Sequence, residues 1–470
     1  MQEYPTVPDA SISLWQSAAA AVSRRKTRME REHNANADGD APAVDMSQPL
    51  NSATAAYVEA STLEPDREEK VADLKAESGA RKPGASALFH KLAEARAAEN
   101  PILEESLRMA IKATPEIDYD EETIWQDVAE YFVDIYRFFK RPAYRSWQKE
   151  GNGDINYGLI EWRLPANATV AVLADWGTGT REAIQVLRAA CVFDPDAIIH
   201  LGDIYTTGLT DECEDNFLSP MRKHAVSSRT GERIPVFNLA GNHDYYSGGH
   251  GFHWLLDQLN TGAKAQHASY FALRSEDDGW QFLATDTGYN ARKDLLLAHD
   301  MGSVPREDEV PWLHHKLRSF EGRTFLLSHH QAFSNHDRLG GDPDEPPEKD
   351  AINERLIRIF QPYFNQIAGW FWGHEHNLAI YHEFMGVKGR CVGHGARPVS
   401  VRKFLDLPEP PIPAEKVRLD TAGDGRHYNH GFELIRLNGR GNPADVIYYE
   451  VVLNSDGDGS VRELYREKMV

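Results

Sequence analysis

The chain has 470 residues, 41% of them hydrophobic, enough for one large or two ordinary domains with a sizeable core. A formal net charge of −21 and an isoelectric point near 5.4 argue against a general nucleic-acid binder or a coat for anionic membranes, since both need clustered Lys and Arg. A small phosphorylated substrate stays open, because bound cations reverse the sign of the charge locally.

Residues 1–50 mix Ala, Ser, Asn, Asp and charge, which predicts a mobile arm. The short basic run Ser23-Arg24-Arg25-Lys26 reads as a solvated helix face. Residues 51–150 turn helical in composition. The stretch 64–77 is charged and amphipathic, and 86–98 is rich in Ala and Leu. In 121–139, Ile124, Val128, Tyr131, Phe132 and Ile135 fall at helical spacing. This helical region is the candidate surface for a protein partner. Residues 141–164, with Gly151-Asn152-Gly153 and then Pro165, predict a linker.

Cys191, Cys213 and Cys391 are too few and too far apart for a disulfide framework, so a reduced, cytoplasmic setting is expected. The start of the chain lacks a basic segment followed by an apolar one, and no apolar run approaches ~18 residues. Neither a signal peptide nor a membrane span is expected.

From residue 166 onward a domain is predicted to run to 470. Five short apolar runs each end on a residue able to hold a metal. They are 169–174 before Asp175, 197–201 before Gly202-Asp203, and 234–240 before Gly241-Asn242-His243-Asp244. Next come 324–327 before Ser328-His329-His330, and 367–372 before Gly373-His374-Glu375-His376. Such runs read as buried strands, and sites in open α/β sheets form beyond the carboxyl ends of strands. Residues 181–191 fit a helical crossover between the first two runs, making a βαβ unit. Residues 312–320 and 351–360 read as later helices, 340–350 and 407–413 as acidic, Pro-rich loops. The alternating stretches 431–437 and 446–453 read as closing strands.

Two Asp, one Asn and three His at strand ends are too many polar groups to bury without a partner. The mixture of carboxylate, amide oxygen and imidazole suits Fe, Mn or Zn better than Ca. A pair of ions about 3.5–4 Å apart needs a bridging carboxylate, and Asp203 after Gly202 is the candidate. Asp175 then completes the first ion and Asn242 serves the second. His374 and His376, two positions apart with Glu375 between them, can reach different ions. A water between two such cations becomes hydroxide near neutral pH and attacks phosphorus in line. His243 is the candidate general acid for the leaving oxygen, with Asp244 orienting its ring.

These motifs resemble the calcineurin-like metallophosphoesterase superfamily: Asp175-Trp176-Gly177, Gly202-Asp203, Gly241-Asn242-His243-Asp244, the pair His329-His330, and Gly373-His374-Glu375-His376. The resemblance spans residues 166–400. It implies an α/β fold, a four-layer sandwich of two mixed β-sheets flanked by helices, with a dinuclear metal centre hydrolysing a phosphate ester. By the family pattern His329, directly after its strand, is the ligand, and His330 lines the pocket where it contacts phosphate. Most members carry Asp-x-His in the first motif; here Gly177 stands in that place, as in the purple acid phosphatase branch. That branch compensates with a Tyr three residues after the bridging Asp. Here that position is Thr206 and the tyrosine is Tyr205, one residue earlier, which makes Tyr205 the candidate ligand of the first ion.

Plainer roles are expected elsewhere. Thr178-Gly179-Thr180 reads as a tight turn with a Thr cap, Asp286 as a turn cap, and Trp370 and Trp372 as core. His200, His253, His314, His315 and His394 read as packing or surface histidines. Tyr245, Tyr246, Ser247, Gly248, Gly249 and His250 read either as a substrate-facing loop or as ordinary surface. A phosphomonoester is the favoured substrate; a diester, and a scaffold that kept the fold without turnover, are the alternatives.

Overall fold

The computed structural model describes residues 143–147 and 157–470, apart from 206–207, 247, 292–302, 337–338, 340–350, 400, 402–409, 424, 426 and 454–458. The described residues all belong to one unit of the chain, which begins at residue 141. The expected N-terminal arm, its basic run, the three expected helices before residue 140 and the acidic loop 340–350 lie outside the described residues. Among the described residues no helix is long and apolar enough to cross a membrane.

Two six-stranded mixed sheets make the described unit. The first runs β12-β11-β10-β1-β2-β3, from β1 (Thr169–Leu173), β2 (Ala197–His200), β3 (Val236–Asn238), β10 (His430–Arg436), β11 (Ala444–Leu453) and β12 (Gly459–Met469). The second runs β4-β5-β6-β7-β9-β8. Its strands are β4 (Phe271–Arg274), β5 (Trp280–Ala284), β6 (Arg323–Ser328), β7 (Ile367–Trp372), β8 (Leu378–Phe384) and β9 (Val387–Val392). In the first sheet β1, β2 and β3 are parallel while β10, β11 and β12 pair antiparallel; in the second β5, β6, β7 and β9 are parallel and the edge strands β4 and β8 antiparallel. Alternation then sorts side chains into layers. Val170, Val172 and Ile199 face Phe282, Phe325, Leu327 and Phe371 in the core between the sheets. Ala171, Leu173 and Ile198 point the other way, onto Ala183, Val186 and Leu187 of α1 (Arg181–Cys191). On the far side, Leu326, Trp370 and Trp372 pack against Trp312, Leu313 and Leu317 and against Leu356, Ile357 and Phe360. The four layers expected from the motifs are therefore present, and both tryptophans of β7 are core residues.

Local chemistry sets the element ends. Thr180 caps α1, its hydroxyl accepting from the Ala183 N–H at 3.3 Å, so the turn after Asp175 is the capped turn expected. The helix behind 234–240 is short, α2 (Asn242–Tyr246), and α3 (His250–Leu259) follows it.

Two readings need correction. The stretch expected as a linker packs on the unit wherever it is described. The Trp147 indole donates to the Tyr270 carbonyl at 2.7 Å, Leu159 and Leu164 bridge to Ala272 and Ser275, and Ile160 and Leu164 are buried. Aromatic and aliphatic side chains in that stretch outweigh its glycines. Strand β12 was not anticipated either. Its residues Arg462, Glu463, Arg466, Glu467 and Lys468 carry a charged pattern that reads as helix or loop, yet it pairs along its length with β11 at the edge of the first sheet.

Candidate metal centre

Parallel registers bring five strand ends to one rim. Leu173 pairs with His200 and His200 with Asn238, so β1, β2 and β3 stop at one level. In the second sheet Ser328 pairs with Trp372, and the Gly373 N–H donates to the His329 carbonyl at 3.0 Å. Asp175, Asp203 and His374 then turn off their strands with φ of 53°, 72° and 67°. A left-handed backbone at a non-glycine residue costs on the order of 1–3 kcal/mol and gathers at functional sites.

The side chains meet in two groups. In one, Asp175, Asp203 and His376 offer ligand atoms within 4.8 Å of one another. The Tyr205 hydroxyl stands among them, 2.9 Å from Asp175 Oδ1, 3.2 Å from Asp203 Oδ2 and 3.0 Å from His376 Nε2. In the other, His329, His330 and His374 come within the same limit. Asn242 Oδ1 lies 3.0 Å from both His329 Nε2 and His374 Nδ1. Asp203 touches both groups: Oδ2 faces Tyr205, and Oδ1 lies 3.3 Å from His329 Nε2. His374 and His376 go to different groups. All of these donors are fully or largely buried.

Gly177 explains why the first motif has no histidine. It bridges to Ile204, with the Tyr205 N–H donating to the Gly177 carbonyl at 2.9 Å. A Cβ there would lie 2.9 Å from the Asp203 carbonyl oxygen. The backbone fills the place of a side chain, and the same bridge turns Tyr205 inward. Thr206, at the usual tyrosine spacing, lies outside the described residues. Gly241 is required for a similar reason, since a Cβ would collide with Asp203 Oδ1.

The sequence reading missed what holds Tyr205. A π-helical turn, Cys213–Leu218, carries Asn216, whose Nδ2 donates to the Tyr205 carbonyl at 2.6 Å. No local sequence signal marks that turn. The reading also missed Arg397, whose guanidinium lies 4.8 Å from the centre of the Tyr205 ring. It follows Gly393-His394-Gly395 at the end of β9, the same strand-then-polar-cluster pattern that marked the other five ends.

The charges in this pocket conflict without a cation. Burial pushes the Asp175 carboxyl up to about 7 although His329 opposes the shift. Burial also opposes ionisation of Asp203, but the imidazoles of His329 and His243 overcome it and hold this carboxyl well below its usual range. Burial lowers His329, Asp203 more than reverses that, and the result is about 9. Burial and the neighbouring imidazoles hold His330 and His374 well below the ordinary histidine value. Two carboxylates pressed together among buried imidazoles make a donor set suited to cations.

His243 is buried, with Nε2 3.8 Å from Asp203 Oδ2 and its ring against Tyr205. Asp244 was expected to orient that ring. Its carboxylate instead gathers backbone: the N–H groups of Gly241 at 2.7 Å and Asp203 at 3.0 Å on Oδ2, and of Ile204 at 3.3 Å on Oδ1. It ties the second and third motif loops together. His330 fixes its Nδ1 2.9 Å from the Thr287 hydroxyl, with its ring 4.4 Å from that of His374. Tyr245 is not substrate-facing: it is fully buried, its hydroxyl donating to Asp286 at 2.7 Å. Asp286 also accepts from the Tyr289 N–H at 2.9 Å, as a turn cap does. His200, 2.8 Å from Asn238 through Nδ1, is a packing histidine.

A family model described as calcineurin-like phosphoesterase matches residues 168–378. These residues are a calcineurin-like phosphoesterase. The matched stretch contains all five motifs, from Asp175 to His376. No curated protein matches it significantly. Among solved structures, the chain is similar to one described as "GAP50 the anchor in the inner membrane complex of Plasmodium", with 13% identity, TM-score 0.43, and 64% of this chain and 88% of that chain covered. It is also similar to a dimetal phosphatase from Danio rerio, with 13% identity, TM-score 0.40, and 63% and 98% covered.

Proposed function

We propose that this phosphoesterase hydrolyses phosphate monoesters at the rim around Asp203, with water as the nucleophile and no covalent intermediate. The observation that supports this best is the split of the Asp203 carboxylate, one oxygen toward Tyr205 and the other toward His329. Asp175, Asp203, Tyr205 and His376 form one donor set, and Asp203, Asn242, His329 and His374 the other. The mixture of oxygen and imidazole donors fits two ions of Fe, Mn or Zn. When bound, the pair supplies an activated water and neutralises phosphoryl charge.

The protein's own groups do the rest. His243 gives a proton to the leaving oxygen, its imidazole supported by the Asp203 carboxylate at 3.8 Å. Asp244 keeps Asn242 and His243 in register with Asp203 by holding the backbone N–H groups around them. His330, anchored by Thr287, contacts a phosphoryl oxygen. A cytoplasmic site of action fits three free thiols, and residues 51–150 offer the surface for a protein partner.

Metal analysis of the purified chain, with hydrolysis of an aryl phosphate and a bis-aryl phosphate, tests this reading. Two equivalents of metal and faster monoester turnover are expected. A metal-free, inactive protein refutes it. For the acid role, His243→Ala is expected to keep its metal and lose about 10²–10⁴-fold in kcat; full metal with a native rate refutes that assignment.

A further inference from the structure

The last motif sends its two imidazoles to different donor groups, His374 to the second and His376 to the first. Glu375 stands between them, buried, and among the described residues it belongs to neither group. Its Oε1 accepts from the Ser334 hydroxyl and, at 3.4 Å, from the Gln331 side-chain amide. Both partners are buried and lie just past His329 and His330, on the loop that leaves β6. The backbone around Glu375 forms two three-residue turns. Its N–H donates to the Gly373 carbonyl at 2.7 Å, and the Asn377 N–H donates to the Glu375 carbonyl at 2.6 Å.

Turns of that kind hold a side chain's direction weakly. Residues 373–377 lie between β7 and β8, outside either strand, and His374 has a φ of 67°. Something beyond the local backbone must fix this loop. A buried carboxylate is retained where donors satisfy it, so Ser334 and Gln331 fix where Glu375 points. With its two neighbours directed to the rim, fixing Glu375 fixes both imidazoles. The same carboxylate joins the loop of His329 and His330 to the loop of His374 and His376. Asp244 does the corresponding work in the first sheet, where it joins the loops of Asp203 and Asn242.

We propose that Glu375 is the positioning residue of the second sheet, setting the imidazoles of both donor groups at once. This rests on the hydrolase reading above for its two ions. Two competing roles make different predictions. A carboxylate that only stabilises the fold would lower the unfolding midpoint and leave metal affinity unchanged. A carboxylate that is itself a ligand would be needed for its charge, and glutamine would not replace it.

The test compares the native chain with Glu375→Ala, Glu375→Gln and Ser334→Ala. Zn²⁺ affinity is read by calorimetric titration of the metal-stripped protein, its unfolding midpoint by denaturant, and kcat with an aryl phosphate after loading. Glu375→Ala is expected to weaken both binding steps together by about 10–100-fold and to lower kcat by about tenfold or more. Glu375→Gln, which keeps an acceptor oxygen of the same reach, is expected to bring both steps back to within about threefold of native. Ser334→Ala removes one anchor and should weaken both steps by about threefold, which serves where Glu375→Ala does not fold. Ser334→Ala added to Glu375→Ala should cost little more than Glu375→Ala alone. Native affinity at both steps, a shift in one step alone, or a Glu375→Gln as impaired as Glu375→Ala overturns the assignment. A native chain that binds two metals yet cleaves neither ester, with both steps still weakened in Glu375→Ala, refutes the hydrolase reading and leaves this one standing. A native chain that takes up no metal overturns both.

Discussion

The two sheets bring different chemistry to the same rim. The first contributes oxygen donors at its strand ends, Asp175, Asp203 and Asn242; the second contributes imidazoles, His329, His374 and His376. Neither sheet alone offers a complete set, and both donor groups straddle the seam between them. The same division recurs below the rim. Glu433 of β10 and His394, just after β9, are both fully buried, with His394 Nε2 3.6 Å from Glu433 Oε1. At the rim, two acids and several imidazoles converge into donor groups that could hold a cation. In the interior pair, burial pushes Glu433 well above the usual carboxyl range and His394 down to about 4. An acid facing an imidazole across the seam becomes a metal site where more donors join, and a neutral pair where they do not.

The most direct way to break this comparison is to remove the bridging acid. Asp203→Asn is expected to cut metal content well below two per chain and hydrolysis by about 10³-fold or more, as read by metal analysis and an aryl phosphate assay. Native metal content in that variant would end the dinuclear reading. A smaller effect is expected from Tyr205→Phe, which removes one hydroxyl from the first group alone. Metal affinity at one position should fall about 10–100-fold while the other position stays filled, seen as two separate steps in a metal titration.

Gly177→His sharpens the account of the first motif. If the missing histidine were a free vacancy, restoring it would raise metal affinity. The close approach to Asp203 and Ile204 predicts instead a loss of about 1–3 kcal/mol in stability, with no gain in metal, measured by denaturant unfolding and metal titration.

The interior pair gives the smallest effects, with opposite signs. As pH falls below 6.5, the unfolded chain protonates His394 while the native one keeps it neutral down to about 4, so native stability declines through that window. His394→Gln should flatten the decline. As pH rises above the ordinary carboxyl value of 4.5, the unfolded chain ionises Glu433 while the native one keeps it protonated, so stability again declines until the raised value is passed. Glu433→Gln should remove that slope. Unfolding midpoints from pH 4 to 8, taken as differences from the native chain, check both; parallel curves would contradict the neutral pair.

Much of the site was legible because the signal is local. An apolar run that must be buried, followed at once by a polar cluster that cannot be, marks a strand end, and five such marks in order gave Asp175, Asp203, Asn242, His329, His374 and His376. The inward turn of Tyr205 was legible only as a candidate. Its position depends on a bridge between Gly177 and Ile204, a backbone contact that leaves no trace in residue type. Asp244 showed the limit of adjacency: next to His243 in sequence, it spends its carboxylate on the loop that carries Asp203. Strand β12 was hidden because an exposed edge strand needs partners on one side and tolerates charge on both faces.

By itself the sequence determined which residues sit at strand ends and what chemistry they offer, since burial and alternation act over a few residues. The tertiary structure decided how those residues are shared: which oxygen of Asp203 faces which group, that the Tyr205 hydroxyl turns in among Asp175, Asp203 and His376, and that Arg397 stands behind its ring. Those assignments follow from the registers of two sheets and the closeness of loops far apart in the chain, and distance in space is not encoded in any short stretch of sequence.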